Sequence, residues 1–309
     1  MPAWNAAAFI GSAIESVLVQ SFRNFELLVV DDGSTDHTRE VVREFNDKRI
    51  RLIPCPHAGI ASALNTGLKA ARSHLIARFD ADDLCDPERL EKQFQFLKDH
   101  PGYALVGCDA EYISEDGEHL FHYSCAMRTN EEIQAGMLSM CPHIHSGVMF
   151  RRDAVLEAGG YNPHAHLFED HLLWIVLLKK WKAGNLPESL LKVRINKASS
   201  TIDERWRGNE WRRIKKNALL TGTINREEGD RLMRILLRQE RKAVKHGSYH
   251  ALCGKKYLAD NYQPGKARWH MRRAISANPF RLDNYVLVAA SFLPLGMIRW
   301  IRKKMPAKL

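Results

Sequence analysis

The chain of 309 residues is long enough to bury a full core and to form one large domain with an appendage. Its 45% hydrophobic and 27% charged residues are typical of a globular protein and exclude an intrinsically disordered chain. The six cysteines are scattered, without a CxxC pair or a Cys and His pattern at zinc-finger spacing. This usage favours a reduced, intracellular protein and argues against a structural zinc site.

The net charge of +10 is distributed unevenly along the chain. Residues 1–200 contain 21 Lys and Arg against 27 Asp and Glu, whereas residues 201–309 contain 25 against 9. We therefore predict two domains, an acidic one over 1–200 and a basic helical region over 201–309. The acidic part suits a metal and a nucleotide, and the basic part suits an anionic partner, which is a membrane surface, nucleic acid or the acidic domain itself.

The first part of the chain alternates between helical and strand-like segments. Apolar residues at helical spacing predict helices, and short apolar runs predict strands. The expected order is helix 9–20, strand 25–30, a helix ending near 46, strand 49–53, helix 59–72 and strand 75–79. Such an alternation is typical of an α/β fold in which helices cover a mostly parallel sheet.

Acidic side chains follow two of the expected strands. Asp31 and Asp32 end one strand, and Asp80, Asp82 and Asp83 end another. Ligands of open parallel sheets bind at the carboxyl ends of the strands. Residues two apart in an extended segment point the same way, so the second cluster predicts a site for one hard metal ion that would hold phosphates. The alternative is a solvated acidic turn with a helix-capping Asp.

A helix over 87–98 and a strand over 103–113 are expected next. The segment from residue 169 to about 180 is apolar on nearly all sides, which predicts a buried helix. Glu169 and Asp170 stand at its start. Two interpretations remain open for them: an acidic pair stabilised by the helix dipole, or a general base that faces a cleft.

The region beyond residue 200 predicts basic helices over 203–245 and a helical pair over 249–258 and 265–277. Residues 284–298 are apolar but contain Pro294 and a glycine, and they are fewer than the roughly 20 residues that a transmembrane helix needs. We expect an interfacial or packed helix here. The basic residues after it suit an anionic membrane leaflet.

Several motifs appear together in one order and carry a family resemblance. The chain resembles a family 2 glycosyltransferase of the GT-A fold over about residues 2–200. The matching pieces are Pro2-Ala3-Trp4-Asn5 in place of the family's Pro-x-Tyr-Asn, residues 13–22, residues 25–36, residues 63–67, residues 77–83, and Phe168-Glu169-Asp170 with Trp174. The resemblance implies a Rossmann-like sheet flanked by helices.

The resemblance also implies how the donor nucleotide is bound. Asp32 would accept a hydrogen bond from the base, and Pro2 and Asn5 would shape the same pocket. Asp80 would also bind the nucleotide, on the side of its diphosphate.

The remaining implied roles concern the metal and the chemistry. Asp82, with Asp80 and Asp83 nearby, would form the DxD-type motif that holds Mn²⁺ or Mg²⁺ on the diphosphate. Asp170 would be the catalytic base, and Glu169 beside it would orient or bind the acceptor. His145 and Arg152 lie in the segment that lines the acceptor side, without an assigned role.

These roles describe an inverting, metal-dependent transferase that moves a sugar from a nucleotide-sugar, preferably UDP-linked, to a hydroxyl of a glycan or lipid-linked acceptor in surface polysaccharide synthesis. A single carboxylate base suffices for one displacement with inversion. We expect a cytoplasmic protein, with peripheral contact to the inner face of the membrane through the basic region, and no nucleic-acid partner.

Two alternatives and one departure from the family pattern remain. The chain could be an inactive nucleotide-sugar-binding member, or a phosphatase or phosphotransferase that uses Asp80-Ala81-Asp82. The family places an apolar strand directly before Pro-x-Tyr-Asn, whereas Met1 directly precedes Pro2 here. We therefore hypothesise a short N-terminal extension in the native product.

Overall fold

The structure is a computed structural model that describes residues 1–199, 207–239 and 242–304. Parts of the expected basic helices, at 203–206 and 240–241, lie outside these residues. The strands are β1 Pro2–Ala3, β2 Leu27–Asp32, β3 Ile50–Cys55, β4 Leu75–Ala77, β5 Leu84–Cys85, β6 Tyr103–Ile113, β7 His119–Tyr123, β8 Met149–Arg151 and β9 Lys182–Arg194. The α-helices are α1 Ile10–Leu18, α2 Thr38–Glu44, α3 Ile60–Ala70, α4 Arg89–Asp99, α5 Asn130–Gly136, α6 Arg152–Glu157, α7 Glu169–Leu177, α8 Gly208–Thr221, α9 Arg226–Gln239, α10 Lys242–Ala259, α11 Pro264–Ala277, α12 Leu282–Ala290 and α13 Leu295–Lys304.

The contacts divide the chain into two units. The first comprises Met1–Ala110, Tyr123–Val193 and Arg213–Leu232, and the second comprises Glu111–His122, Arg194–Arg212 and Met233–Leu309. These units are defined by contacts, whereas the predicted boundary at residue 200 was based on the distribution of charge. The predicted pair of a catalytic domain over 1–200 and a basic region over 201–309 stays a prediction.

The first unit contains a sheet with strand order β1-β2-β3, in which both pairings are parallel. The central strand β2 is buried along most of its length, and α3 packs against it. This is the strand-helix-strand arrangement that the alternation of the sequence predicts. It brings Asp31 and Asp32 to the carboxyl end of β2, next to the end of β1.

The second sheet has the order β4-β8-β6-β9-β5, with β7 paired to β6. Its pairings β4–β8, β6–β8 and β5–β9 are antiparallel, so the strand directions of the fold are mixed. The core beside this sheet holds Phe150 of β8 and Trp174 of α7, both fully buried. The all-round apolar character of α7 is explained by this position, because a helix inside the core has no face toward water.

An apolar cavity of about 720 Å³ is lined by β2, β4, α3 and α4. Met1 lies at its wall and donates a hydrogen bond from its amino group to the Leu28 carbonyl, at 2.9 Å. Within the described residues, β8 is the partner strand of β4. The hypothesis of an extension before residue 1 is not tested by these contacts and stays a prediction.

The second unit has a helical core of its own. Tyr249, Cys253 and Tyr257 of α10 pack with Met271 of α11 and Leu287 of α12. The helical pair that the sequence predicts corresponds to α10 and α11.

The apolar run 284–298 belongs to two helices, α12 and α13. The break spans residues 291–294, and Pro294 directly precedes α13. A proline is tolerated at the start of a helix, because the first N–H groups there have no partner within the helix. Across the described ranges, we find no helix with both the length and the apolar character needed to cross a membrane.

Candidate functional site

Three carboxylates follow the end of β4. One carboxylate oxygen from each of Asp80, Asp82 and Asp83 lies within 4.8 Å of the other two. The loop that carries them is anchored by a hydrogen bond from the Asp80 backbone N–H to the Ser146 hydroxyl, at 3.0 Å. Asp83 is buried, whereas Asp80 and Asp82 are half-buried. Clustered carboxylate oxygens are the ligands that Mg²⁺ and Mn²⁺ prefer, so this donor set fits such an ion.

A buried cation stands beside this cluster. The Arg78 side chain is 3% exposed, and its guanidinium pairs with the Asp80 carboxylate. Burial is the largest single influence and lowers the pKa of Arg78, but the charge and hydrogen bond of Asp80, with Tyr161 and the charge of Asp83, together outweigh burial and raise it. The guanidinium is therefore a permanent positive charge in the site. Its backbone is fixed as well, because the Arg78 N–H donates to the Val148 carbonyl at 2.9 Å.

A second cluster forms where α7 begins. Ligand atoms of His145, Glu169 and Asp170 lie within 4.8 Å of one another. Glu169 is buried, and among the described residues its Oε2 atom has no hydrogen-bond partner. Asp170 is half-buried, with the Cys141 Sγ atom 3.6 Å from its Oδ2.

The imidazole of His145 is neutral in this environment. Its Nε2 atom lies 3.1 Å from the Tyr161 hydroxyl. Burial, and after it the charge of Arg78, lower the pKa of His145 well below its ordinary value. Burial also raises the pKa of Tyr161, so this pair contributes a hydrogen bond rather than a charge.

The electrostatics of Glu169 connect the two clusters. Burial, followed by the negative charge of Asp170, raises the pKa of Glu169 to about 7. Arg78 lowers this pKa and Asp80 raises it again. Charges from the first cluster thus act on a carboxyl of the second, so the two clusters lie within electrostatic range of each other.

The predicted nucleotide pocket lies at the ends of β1 and β2. Pro2 is buried in β1 opposite Val30. The Asp32 carboxylate accepts hydrogen bonds from the backbone N–H groups of Ala58 and Gly59, both at 2.9 Å. The His57 Nδ1 atom also lies 2.9 Å from the Asp32 Oδ2 atom. A carboxylate has about four acceptor positions, so these three contacts leave room for one more donor from a ligand.

Asn5 organises the adjoining loop. It has a positive φ of 48°, and its Oδ1 atom accepts a hydrogen bond from the Thr35 N–H at 2.8 Å. Its neighbour Trp4 is 54% exposed and stacks on the His57 ring, with 4.9 Å between centroids and 22° between planes. An exposed stacked pair at this edge offers a flat surface of the kind on which a nucleobase packs.

The structure thus places Pro2, Asn5 and Asp32 at the ends of β1 and β2, where the nucleotide pocket is predicted. It forms one cluster from Asp80, Asp82 and Asp83 and another from Glu169 and Asp170 with His145. The sequence patterns indicated no role for Arg78, His57 or Tyr161. For Arg78 a signal was available, because a cation inside an apolar strand requires a buried acid as partner. His57 and Tyr161 lie in loops without a distinguishing pattern.

Comparison with known sequences identifies the family. Residues 1–159 match the family described as glycosyl transferase family 2. The amylovoran biosynthesis glycosyltransferase AmsE of Erwinia amylovora is 31% identical over 211 residues, which cover 67% of this chain and 76% of AmsE. The UDP-Glc:alpha-D-GlcNAc-diphosphoundecaprenol beta-1,3-glucosyltransferase WfgD of Escherichia coli is 46% identical over 98 residues, which cover 31% of this chain and 39% of WfgD.

Solved structures show the same fold at low sequence identity. TarS of S. aureus (residues 1–349), solved in complex with UDP-GlcNAc, aligns with a TM-score of 0.56 at 14% identity, over 98% of this chain and 90% of that one. The mannosyltransferase PcManGT of Pyrobaculum calidifontis, solved with GDP-Man and Mn²⁺, aligns with a TM-score of 0.53 at 18% identity, over 99% and 82%. The expected GT-A fold is confirmed by these neighbours. By its family match and its relatives, this chain belongs to glycosyl transferase family 2 and is a glycosyltransferase.

Proposed function

We propose that the chain is an inverting, metal-dependent glycosyltransferase that moves a sugar from a UDP-linked donor to a hydroxyl of a glycan or lipid-linked acceptor. The observation that carries this proposal is the presence of two acidic clusters, around Asp80 and around Asp170, with Arg78 buried beside the first and acting electrostatically on Glu169 of the second. One cluster suits the donor diphosphate and the other suits a base. Family membership argues against the phosphatase alternative, which rested on Asp80 and Asp82 alone.

The donor side follows from the first cluster and the nucleotide pocket. In this proposal Asp82, with Asp80 and Asp83, would hold Mn²⁺ or Mg²⁺, which would supply positive charge beside the leaving diphosphate. Asp32 binds the base edge, with Pro2 and Asn5 shaping the pocket. Support comes from neighbours of the same fold that were solved with UDP-GlcNAc or with GDP-Man and Mn²⁺.

The acceptor side follows from the second cluster. Asp170 takes the proton of the acceptor hydroxyl while the hydroxyl oxygen forms a bond to the anomeric carbon and the carbon–oxygen bond to the diphosphate breaks. One displacement from the opposite face inverts the anomeric centre. Glu169 keeps its proton up to about pH 7, so it can orient the acceptor by donating a hydrogen bond without adding a second negative charge.

The biological setting is proposed from the relatives. AmsE is named for amylovoran biosynthesis, and WfgD is named for transfer from UDP-Glc to a diphosphoundecaprenol-linked sugar. We accordingly propose a role in surface polysaccharide synthesis on a lipid-linked acceptor. Such an acceptor lies in a membrane, so we place the enzyme at the cytoplasmic face, in peripheral contact with anionic lipid through its basic C-terminal region.

Calorimetry tests the donor side. The protein is titrated with UDP, GDP and dTDP, each with and without Mn²⁺. We expect UDP to bind in a metal-dependent manner, and we expect Asp82→Asn to weaken that binding roughly tenfold or more. The matched control is Asp99→Asn, which changes an exposed carboxylate of α4 and should bind like the wild type. Equal binding with and without metal would contradict the metal-dependent proposal.

An activity assay tests the base. With the donor sugar identified, Asp170→Asn should lower kcat by roughly a hundredfold or more and leave nucleotide binding intact. NMR of the product gives the anomeric configuration. Retention of configuration, or full activity of Asp170→Asn, would overturn the proposed mechanism. Binding without turnover in the wild type would instead support the inactive, nucleotide-sugar-binding alternative.

A further inference from the structure

Helix α12 in the second unit is apolar on the side that faces water. Leu282 is 74% exposed and Val286 is 66% exposed, and they lie four residues apart on one face. The opposite face carries Leu287, which packs into the core with Tyr249 and Met271. A helix that is apolar on its outer face as well as its inner face presents a hydrophobic surface that the other described residues of this unit leave exposed.

Aromatic side chains extend this surface at both ends of α12. Phe280, just before the helix, is 90% exposed, and Phe292, just after it, is 70% exposed. Trp300 of α13 is 63% exposed. Side chains of this size are seldom left so open, and aromatic residues are enriched where a protein meets the boundary between lipid tails and headgroups.

The charges around this surface have one sign. Between residues 264 and 304 the sequence contains nine Lys and Arg and a single acidic residue, Asp283. Arg272 is exposed on α11, and Arg268 packs its guanidinium 4.7 Å from the Phe292 ring. Arginines beside exposed aromatic rings combine an anion-binding group with a hydrophobic one.

We propose that α12, with Phe280, Phe292 and Trp300, is an interfacial surface that inserts its apolar side chains into an anionic lipid bilayer while the flanking arginines bind the headgroups. This proposal specifies which residues make the membrane contact of the proposed function. It rests on the proposed function in one respect, because a lipid-linked acceptor brings the enzyme to a membrane. A second copy of the chain is the less favourable occupant, because pairing this surface with itself would bring two strongly basic faces together. An anionic leaflet complements both the apolar face and the charge.

Vesicle sedimentation tests the proposal with the full chain. Vesicles of phosphatidylcholine with 30% phosphatidylglycerol are compared with pure phosphatidylcholine, at low and high salt. In the double variant Val286→Ser with Phe292→Ser, the partition coefficient onto the anionic vesicles should fall about tenfold or more, because two large apolar side chains are removed from the lipid contact. The matched control is Leu220→Ser with Leu237→Ser, which changes two exposed leucines outside this surface and should partition like the wild type.

A second variant probes the charge without touching the apolar face. Arg272→Glu should lower binding several-fold, and the difference from wild type should shrink at high salt, where the surface potential is screened. Circular dichroism and thermal unfolding confirm that each variant is folded.

Three results would overturn the proposal: equal binding of the double variant and the wild type, equal binding to neutral and anionic vesicles, or a lipid-independent oligomer that the double variant dissociates. UDP titrations on the same samples separate this proposal from the proposed function. Loss of vesicle binding with nucleotide binding retained concerns the surface alone. Vesicle binding without nucleotide binding would contradict the donor site and leave the surface supported.

Discussion

Replacing Glu169 with Gln should change the pH dependence of stability in a defined way. The pKa of Glu169 is raised from 4.5 to about 7, chiefly by burial and then by the charge of Asp170. In the unfolded chain the carboxyl loses its proton near 4.5, whereas in the folded chain it keeps the proton to about 7. The folded state therefore binds more protons between these values, and the wild type loses stability as the pH rises through them.

The magnitude follows from the shift. One pKa unit corresponds to about 1.36 kcal/mol, so a shift of roughly 2.5 units costs the wild type about 3 kcal/mol of unfolding free energy once the pH is well above 7. Glutamine has nearly the same shape and no charge, so its contribution does not vary with pH. We expect Glu169→Gln to gain about 2–3 kcal/mol relative to the wild type between pH 5 and pH 8.5.

Urea unfolding followed by tryptophan fluorescence at pH 5, 7 and 8.5 measures this difference. Any cost of fitting the amide into the site is the same at each pH, so it cancels from the change across the series. Glu44→Gln serves as the control, because Glu44 is an exposed glutamate of α2 and its variant should follow the wild type. A constant difference between Glu169→Gln and the wild type across the series would refute the reasoning.

Three further predictions concern the same unit. Arg78→Met should lower the unfolding free energy by about 2–3 kcal/mol, because it removes the buried positive charge that pairs with the Asp80 carboxylate, and Arg78→Lys should lose less. Equal stability of Arg78→Met and the wild type in urea unfolding would contradict a structural ion pair. Gly107→Ala should lower the unfolding free energy by about 3 kcal/mol in the same assay, because an added Cβ would lie 2.1 Å from the Asn185 Oδ1 atom. An unchanged unfolding free energy would show that this contact relaxes freely. Trp4→Ala should weaken UDP binding about tenfold in calorimetry, because Trp4 offers an exposed ring face for stacking. The urea midpoint of unfolding should not change, because the side chain is half exposed. Unchanged UDP affinity would exclude Trp4 from the nucleotide pocket.

Local patterns predicted many of the elements. Strand β6 has the bounds expected from its apolar run, residues 103–113. The helical pair α10 and α11 was also predicted, because the period of apolar residues along a helix is a property of neighbouring positions. Strand β9, over 13 residues, was not predicted. Its sequence contains a glycine, a proline and four charged residues, so it shows neither a continuous apolar run nor a regular alternation.

The candidate site also combines features that the sequence predicts with features that only the structure shows. The sequence predicted Asp80, Asp82 and Asp83 as one group, and the structure brings their oxygens within 4.8 Å of one another because they share a single loop. It also singled out Glu169 and Asp170, but their composition left two interpretations open. Their position beside His145, and the unusual pKa of Glu169, depend on segments that are distant along the chain.

The sequence by itself therefore determined the family, the acidic clusters at the strand ends and the basic character of the C-terminal region, because each of these is written in residues close together in the chain. Only the tertiary structure decided that the charge of Arg78 acts on the Glu169 carboxyl, and that the described residues leave the outer face of α12 exposed to water. The physical reason is that a pKa depends on burial and on charges a few ångströms away, and exposure depends on what packs on each face. Both are set by contacts between distant segments, which a pattern of neighbouring residues does not contain.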